Sequence, residues 1–227
     1  MVNNKNVWEE NYKKGRFNRY PFDEVVSFVL GKFQKNKKKI KILDLGCGGG
    51  NNTKFLIDEN YDTYAVDGSN ESIYLTKKIL GKKFNKKKIL KSNLKNLPYE
   101  SNKFDCVIDR QSLGQNNITD IKIIIEEVKR VLKNKGIFFS MCYSSKHPHK
   151  KFGKILDKKL SLNDVYNFKR GNFKSSDLTH FFQKKEIMNL YSKFKILDIV
   201  HQQNRSLIKD ISTNYNSNSF IIIVQKL

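Results

Sequence analysis

Short apolar runs alternate with amphipathic stretches along the central part of the chain. The alternation predicts strands at 40–45, 62–66, 87–91, 104–109 and 136–143, and helices at 51–59, 69–80 and 119–132. Helices are marked by apolar residues at helical spacing, and strands by short continuous apolar runs. Because helices separate the strands, the pattern predicts a parallel sheet with right-handed crossovers.

The two ends of the chain carry a different pattern. Residues 8–12 fit a short helix, and Pro21 opens a longer one whose apolar face includes Val25 and Val29. From 144 to about 175 regular patterning fades, and a helix is then predicted at 177–191 and strands near 194–202 and 218–226. With 227 residues, 38% of them hydrophobic, we expect a single domain over 1–227 with one core.

The first predicted strand contains an acid near its end, Asp44, and is followed by glycines at alternate positions, Gly46, Gly48 and Gly50. Glycines there allow a tight turn into a helix and a close backbone approach to a ligand. The next strand ends in Asp67, about twenty residues on, where a ribose-binding acid is expected. A dinucleotide turn would instead read G-x-G-x-x-G, and an extra carboxylate repels phosphates and favours an ammonium or sulfonium group.

These residues resemble motif I of the class I S-adenosylmethionine (SAM) methyltransferases. The resemblance continues at 91–99, similar to the family's adenine loop, at 104–109, similar to motif IV, and at 131–137, similar to the turn into the fifth strand. Four motifs in order disfavour the alternative, a flavodoxin-like or dehydrogenase-type domain whose glycine turn serves another ligand. One departure is Asn93, where many members carry Asp, although an Asn carbonyl can still accept a hydrogen bond from adenine.

The resemblance implies a Rossmann-like α/β fold. Its seven-stranded sheet is mostly parallel with an antiparallel last strand, helices cover both faces, and residues 1–36 form an N-terminal helical lid. It also implies SAM as cofactor and S-adenosyl-L-homocysteine as product. The residues that we assign to the cofactor site are Tyr12, Arg16, Tyr20, Asp44, Gly46, Cys47, Gly48, Asp67, Gly68, Ser69, Asn93, Leu94 and Asp109. Tyr12, Arg16 and Tyr20 belong to the lid, where a purely structural role is the alternative.

The net charge of +22 raises the question of nucleic acid. The positive charge comes almost entirely from lysine, and the chain is also rich in Asn and Ile. This joint bias indicates an AT-rich genome more than a phosphate-binding surface. Runs such as 35–39 are read as solvated surface. Charge therefore keeps RNA as a second candidate partner, and it also suits a small anionic acceptor drawn into the cleft.

Other classes of site and location find less support. Cys47, Cys106 and Cys142 match no metal-binding spacing, so we expect reduced packing residues and no metal. No apolar window is long enough to span a membrane. The polar residues 1–6 lack the apolar run of a signal peptide, so we expect a cytoplasmic protein.

Candidate catalytic residues follow the ends of the fourth and fifth strands. Arg110 is a candidate for binding an anionic acceptor, with a loop-closing salt bridge as the alternative. His147 and then His149 are candidate bases, because neutral imidazole accepts a proton near pH 7. An exposed loop in which neither histidine reacts is the alternative. His180 is a third candidate, for which aromatic packing is an equal explanation.

We therefore expect a SAM-dependent methyltransferase of the small-molecule type that methylates oxygen, with the acceptor selected by a variable segment at 144–175. The chain opening and 109–116 also resemble methyltransferases of bacterial capsule or lipopolysaccharide clusters, which modify sugars, nucleotide-linked sugars or phosphoramidates. The alternatives are an RNA methyltransferase and a non-catalytic SAM-binding regulator or subunit. The sequence fixes neither the oligomeric state nor the acceptor atom.

Overall fold

The computed structural model describes residues 4–81, 84–171, 173–205 and 216–227. Residues 1–3 of the predicted lid and residue 172 of the predicted variable segment lie outside these ranges. The α helices are α1 Asn4–Lys13, α2 Asp23–Lys32, α3 Asn51–Asp58, α4 Asn70–Ile79, α5 Ile118–Val131 and α6 Lys184–Leu190. The strands are β1 Lys41–Leu45, β2 Asp62–Asp67, β3 Ile89–Lys91, β4 Phe104–Arg110, β5 Leu132–Tyr143, β6 Lys154–Asp157, β7 Ser161–Tyr166, β8 Leu178–His180, β9 Phe194–Asn204 and β10 Ser217–Lys226.

Seven strands form the main sheet in the order β3-β2-β1-β4-β5-β10-β9. The first five pair in parallel, whereas β10 is antiparallel to both β5 and β9. The carboxyl ends of β1, β2 and β4 therefore share one edge of the sheet. This confirms the predicted Rossmann-like, mostly parallel sheet with an antiparallel last strand.

Helices pack on both faces because neighbouring strand residues point to opposite sides. On one face, Leu43 and Val107 pack with Ile121 of α5 in a cluster that also includes side chains of α6. On the other face, Ile42 and Ile108 pack with α2 and α3. Each fully buried Ile or Val contributes about 1.5–3 kcal/mol, so the two clusters fix the strand ends that carry the site.

The predictions for the 144–191 region were wrong. Instead of an irregular segment and one long helix, β6, β7 and β8 form a three-stranded antiparallel sheet, and α6 begins only at Lys184. Leu178 pairs with Tyr166, a contact that local periodicity does not report. A capping box between Gln183 and Glu186 starts the helix.

Candidate active site

A cavity of about 410 Å³ opens at the edge of the main sheet where β1, β2 and β4 end. Its walls come from α1 and the segment after it, the glycine turn, the starts of the loops after β2 and β3, the turn after β4, and Phe173 and Ser176. Ligand pockets typically measure roughly 300–1,000 Å³. Open α/β sheets bind their ligands at this edge, which makes the cavity the candidate active site.

The glycine turn after β1 forms the floor of the cavity. Gly46, Gly48 and Gly50 have φ angles of +74°, +54° and +83°, which L side chains rarely adopt. A Cβ on Gly46 would lie 2.2 Å from Cβ of Ser112, and one on Gly48 would lie 3.1 Å from the hydroxyl oxygen of Tyr12. The alternating glycines are thus required both by backbone conformation and by close packing.

Asp67 holds the turn from the end of β2. One carboxylate oxygen accepts a hydrogen bond from the backbone N–H of Gly48 and the other from that of Ser69, each at 2.9 Å. Asp67 is buried yet lines the cavity. Each oxygen can accept a further hydrogen bond, as two ribose hydroxyls would require.

Three buried acids, Asp44, Asp67 and Asp109, stand at the ends of adjacent strands. Burial raises the pKa of each of them. The pKa of Asp44 reaches about 7, because the charges of Asp67 and Asp109 add to burial and outweigh the hydrogen bond that Thr53 donates at 2.6 Å. Clustered carboxylates favour a bound cation, and SAM carries both an ammonium and a sulfonium group.

Asp109 lies behind the cavity wall, so the structure does not show the direct cofactor contact that the sequence analysis assigned to it. Its carboxylate accepts hydrogen bonds from the backbone N–H groups of Ser112 and Leu113 at 2.9 Å, from the hydroxyl of Ser140 at 2.8 Å, and from the hydroxyl of Ser112. Asp109 is fully buried. It therefore shapes the turn after β4 and affects a ligand through charge alone.

The structure brings most of the predicted site residues to one cavity. Those that line it are Tyr12, Arg16, Gly46, Cys47, Gly48, Asp67, Gly68, Ser69, Asn93, Leu94 and Arg110. Tyr20, Asp44, Asp109, His147 and His149 do not line it. Lining residues that the sequence analysis did not assign to the site include Trp8, Phe17, Asn18, Phe22, Tyr143 and Phe173.

Asn93 occupies the position of the predicted adenine contact. Its side-chain oxygen accepts a hydrogen bond from the backbone N–H of Lys95 at 3.1 Å. The oxygen thus stabilises the loop after β3, and a second lone pair stays available for a ligand amino group.

The N-terminal helix α1 covers the cavity and is anchored at both sides. Glu9 accepts hydrogen bonds from the hydroxyl of Ser69 at 2.6 Å and the backbone N–H of Glu71 at 3.3 Å, at the start of α4. Asn11 and Arg16 donate to the backbone oxygen and hydroxyl of Ser175, at 2.8 and 3.0 Å. Contacts to both walls are what the predicted lid requires.

Tyr20 is the exception among the predicted lid residues. Its side chain is 82% exposed, so the structure does not place it at the cofactor. Its backbone oxygen accepts a hydrogen bond from Asn51 at 2.8 Å, which ties the segment after α1 to the start of α3.

Arg110 and Tyr143 line the cavity from the ends of β4 and β5. The guanidinium carbon of Arg110 lies 3.6 Å from the ring centroid of Phe22, and its Nη1 donates to the side-chain oxygen of Gln111. Its buried Nε has no hydrogen-bond partner in the described part of the chain. Burial lowers the pKa of Arg110 and raises that of Tyr143, whereas the attraction between the two opposes both shifts. A guanidinium group in the cavity wall suits an anionic ligand.

His147 lies one layer behind the wall formed by Tyr143 and Phe173. It is 3% exposed, its ring centroid is 5.0 Å from that of Phe173 and 5.4 Å from that of Tyr143, and its Nδ1 accepts from the backbone N–H of His149 at 3.2 Å. Burial, with a smaller effect of His149, lowers the pKa of His147 to about 4. The structure therefore places the first candidate base in an aromatic cluster outside the cavity.

The other two candidate histidines, His149 and His180, also lie outside the cavity. His149 is half-buried beside Phe152, with ring centroids 5.4 Å apart. His180 is fully buried, with Nδ1 2.6 Å from a carboxylate oxygen of Asp164 and Nε2 3.0 Å from one of Glu186. Burial alone would lower the pKa of His180, but these two hydrogen bonds outweigh it and raise the pKa. His180 thus joins β7, β8 and α6.

The described ranges contain neither a cluster of metal ligands nor a helix that could span a membrane. Within them, no group of three or more His, Cys, Asp or Glu residues is arranged to hold a metal ion. The three cysteines are free and buried. None of the helices there is long and apolar enough to cross a membrane.

The sheet order, the glycine cradle and the acids at the ends of β1 and β2 define a class I SAM-dependent methyltransferase fold. The family model described as "Methyltransferase domain" matches residues 36–195, and the chain belongs to this family. SAM is its cofactor, in agreement with a cradle that any Cβ would obstruct and a cluster of acids that favours a cation.

Known proteins similar to the chain include one curated enzyme and many solved structures. The chain is 29% identical over 123 residues to ubiquinone biosynthesis O-methyltransferase of Pelagibacter ubique, covering 53% of this chain and 50% of that enzyme. A SAM-dependent methyltransferase of Methanosarcina mazei shares 19% sequence identity at a TM-score of 0.69. The match covers 92% of this chain and 99% of that protein. The 1,6-didemethyltoxoflavin-N1-methyltransferase of Burkholderia thailandensis, bound to S-adenosylhomocysteine, shares 15% sequence identity at a TM-score of 0.65. The match covers 96% of this chain and 84% of that enzyme. The two structures share the fold.

Proposed function

We propose that the protein transfers the methyl group of SAM to an oxygen atom of a small anionic acceptor. The observation that carries the proposal is the position of Arg110, a cation that lines the cavity beside Tyr143. The similarity to an O-methyltransferase over half of that enzyme's length supports oxygen as the acceptor atom.

The cofactor end of the cavity is the glycine turn with Asp67, Asn93 and Leu94. When bound there, SAM supplies an activated methyl group on a positively charged sulfur. Asp67 is placed to accept hydrogen bonds from hydroxyls, and the acid cluster stabilises positive charge. Trp8 and Tyr12 of α1 line the same cavity and exclude water from it.

The acceptor end has a cation and no imidazole. Among the described residues that line the cavity, none is histidine. Arg110 beside an acceptor hydroxyl or carboxylate favours its ionised form by charge attraction. Transfer to an ionised oxygen requires positioning more than a base, and positioning alone can supply a large part of the acceleration. Tyr143 and Gln111 are placed to orient the acceptor by hydrogen bonds.

The chain opening and 109–116 resemble methyltransferases of surface polysaccharide synthesis, whose acceptors are sugars, nucleotide-linked sugars or phosphoramidates. Of these, nucleotide-linked sugars and phosphoramidates carry negative charge and fit the proposed acceptor class. The cavity wall formed by Phe173 and Ser176 would select among these acceptors. The two residues lie in or next to the predicted variable segment.

The proposal is tested by calorimetry on protein saturated with S-adenosylhomocysteine. Salicylate and uridine diphosphate serve as small anionic probes, and a short structured RNA serves as the alternative ligand at near-physiological salt. Arg110→Met should weaken binding of a small probe by about tenfold or more, the value of one charge-assisted hydrogen bond. Arg170→Met is the matched control, because Arg170 also stacks on a phenylalanine, with its guanidinium carbon 4.4 Å from the ring centroid of Phe152, but lies outside the cavity.

Two results would contradict the proposal. One is equal binding of the small probes by both arginine variants. The other is tight RNA binding with a steep salt dependence and no binding of either small probe, which would make RNA the leading acceptor.

A further inference from the structure

A second cavity, of about 440 Å³, lies apart from the candidate active site. It is formed by the loop after β5 and by the β6–β7 hairpin, and His147 belongs to its wall. Its described lining includes three lysines, Lys146, Lys150 and Lys151, and no carboxylate. The cavity thus concentrates positive charge in a concave space.

None of the three lysines of this cavity has a carboxylate partner among the described residues. Lys88 and Lys133 form ion pairs with Asp62 and Asp105, whereas no ion pair within the described residues involves the three cavity lysines. Lys150 is half-buried, and its Nζ donates to the side-chain oxygen of Asn163 at 2.6 Å.

The electrostatic surroundings of Lys150 leave part of its charge uncompensated. Burial lowers its pKa, and the more distant charge of Glu186 opposes this shift only in part. His147, with a lowered pKa, adds no charge near pH 7. Lys150 uses one of its three N–H groups for Asn163, so the oxygens of an anion in the cavity could accept from the others.

The β6–β7 hairpin beside the cavity carries exposed aliphatic side chains. Ile155 lines the cavity and is 38% exposed, whereas Leu156, Leu160 and Leu162 lie outside the lining and are 36%, 67% and 58% exposed. The apolar part of a ligand could contact Ile155 while its charged head lies in the cavity. A second copy of the chain is disfavoured, because Lys154, Lys158 and Lys159 of the same hairpin would face like charge.

We propose that the cavity between the loop after β5 and the β6–β7 hairpin is a binding site for a phosphate group, separate from the methyl-transfer cavity. The phosphate belongs either to a soluble compound or to the headgroup of an anionic lipid. Both sources share the chemistry of a multiply charged oxyanion recognised by Lys146, Lys150 and Lys151.

The test uses the full chain saturated with S-adenosylhomocysteine, so that the cofactor end of the first cavity is filled. Inorganic pyrophosphate is titrated by calorimetry, and vesicles of phosphatidylcholine with or without phosphatidic acid are tested by co-sedimentation. The variant is Lys146→Gln with Lys150→Gln and Lys151→Gln. The control removes the same charge before β1, at the opposite edge of the sheet, through Lys35→Gln, Lys38→Gln and Lys39→Gln.

We expect the cavity variant to weaken binding of pyrophosphate, or of phosphatidic acid vesicles, by about tenfold or more, since it removes several charge-assisted hydrogen bonds. The control should bind as the native chain does, and S-adenosylhomocysteine affinity should be the same in all three proteins. If the Lys150 substitution prevents folding, the pair Lys146→Gln and Lys151→Gln takes its place. Equal losses in variant and control, or no binding of either probe by the native chain, would overturn the proposal.

Discussion

Asp44 provides the sharpest prediction, because its charge opposes folding and, if the cofactor assignment is right, favours the bound cofactor. Its pKa is raised from 3.8 to about 7. The folded chain therefore keeps the proton of Asp44 up to about pH 7, whereas the unfolded chain loses it near pH 4. The resulting stability is complete below pH 4 and is lost as the pH rises through 7.

The size of this effect follows from the shift. Each pKa unit corresponds to about 1.4 kcal/mol, so the shift of about three units means that the ionised Asp44 destabilises the fold by about 4 kcal/mol above pH 7. Asp44→Asn removes the charge and keeps an oxygen that can accept the hydrogen bond from Thr53. We expect this variant to be more stable than the native chain at pH 8 and similar to it at pH 4, as measured by urea unfolding.

Cofactor affinity should change in the opposite direction. A bound cation favours ionised Asp44, so SAM affinity of the native chain should increase from pH 6 to pH 8, whereas in Asp44→Asn it should be weaker and depend less on pH. Asp58→Asn is the control, because Asp58 is an exposed acid paired with Lys54. The reasoning would be refuted by equal stability differences at pH 4 and pH 8, or by the same pH dependence of SAM binding in both proteins.

Three other variants test the site. Asp67→Ala should weaken SAM binding by about 1.5–3 kcal/mol in calorimetry, because it removes hydrogen bonds to a charged group; unchanged affinity would contradict its role. Gly46→Ala should lower the melting temperature by about 4 °C or more, since a φ of +74° is strained for alanine and its Cβ has no space, whereas the control Gly31→Ala, with open space, should not. His147→Phe should retain native turnover in a methyl-transfer assay, because its surroundings are aromatic; a large loss would restore His147 as a base.

Local motifs explain how much of the fold and site could be predicted from the sequence. The positive φ angles at Gly46 and Gly48 are a local requirement, so the glycine spacing, with the resemblance to motif I, pointed to the cradle and to Asp67. The alternation of short apolar runs and helices likewise gave the parallel part of the sheet. In both cases the pattern that signals the element lies within a short stretch of the chain.

The misassigned residues depend on partners from distant segments. His147 stands in a promising loop after β5, but Phe173 and Phe181 enclose it from another part of the chain. β8 is a strand because β7 is available to pair with it. Asp109 matched a strand end, where position alone does not reveal that its carboxylate is already occupied by the turn that follows.

The proposed transfer of a methyl group to a small anionic acceptor is tested most directly by following the methyl group itself. Protein is incubated with SAM labelled in its methyl group and with a cell extract separated into small-molecule, RNA and protein fractions. We expect the label to enter small molecules that are retained on an anion-exchange resin. Arg110→Met should reduce this labelling, whereas Arg170→Met should not. Label found mainly in RNA or protein, and unaffected by the Arg110 substitution, would contradict it.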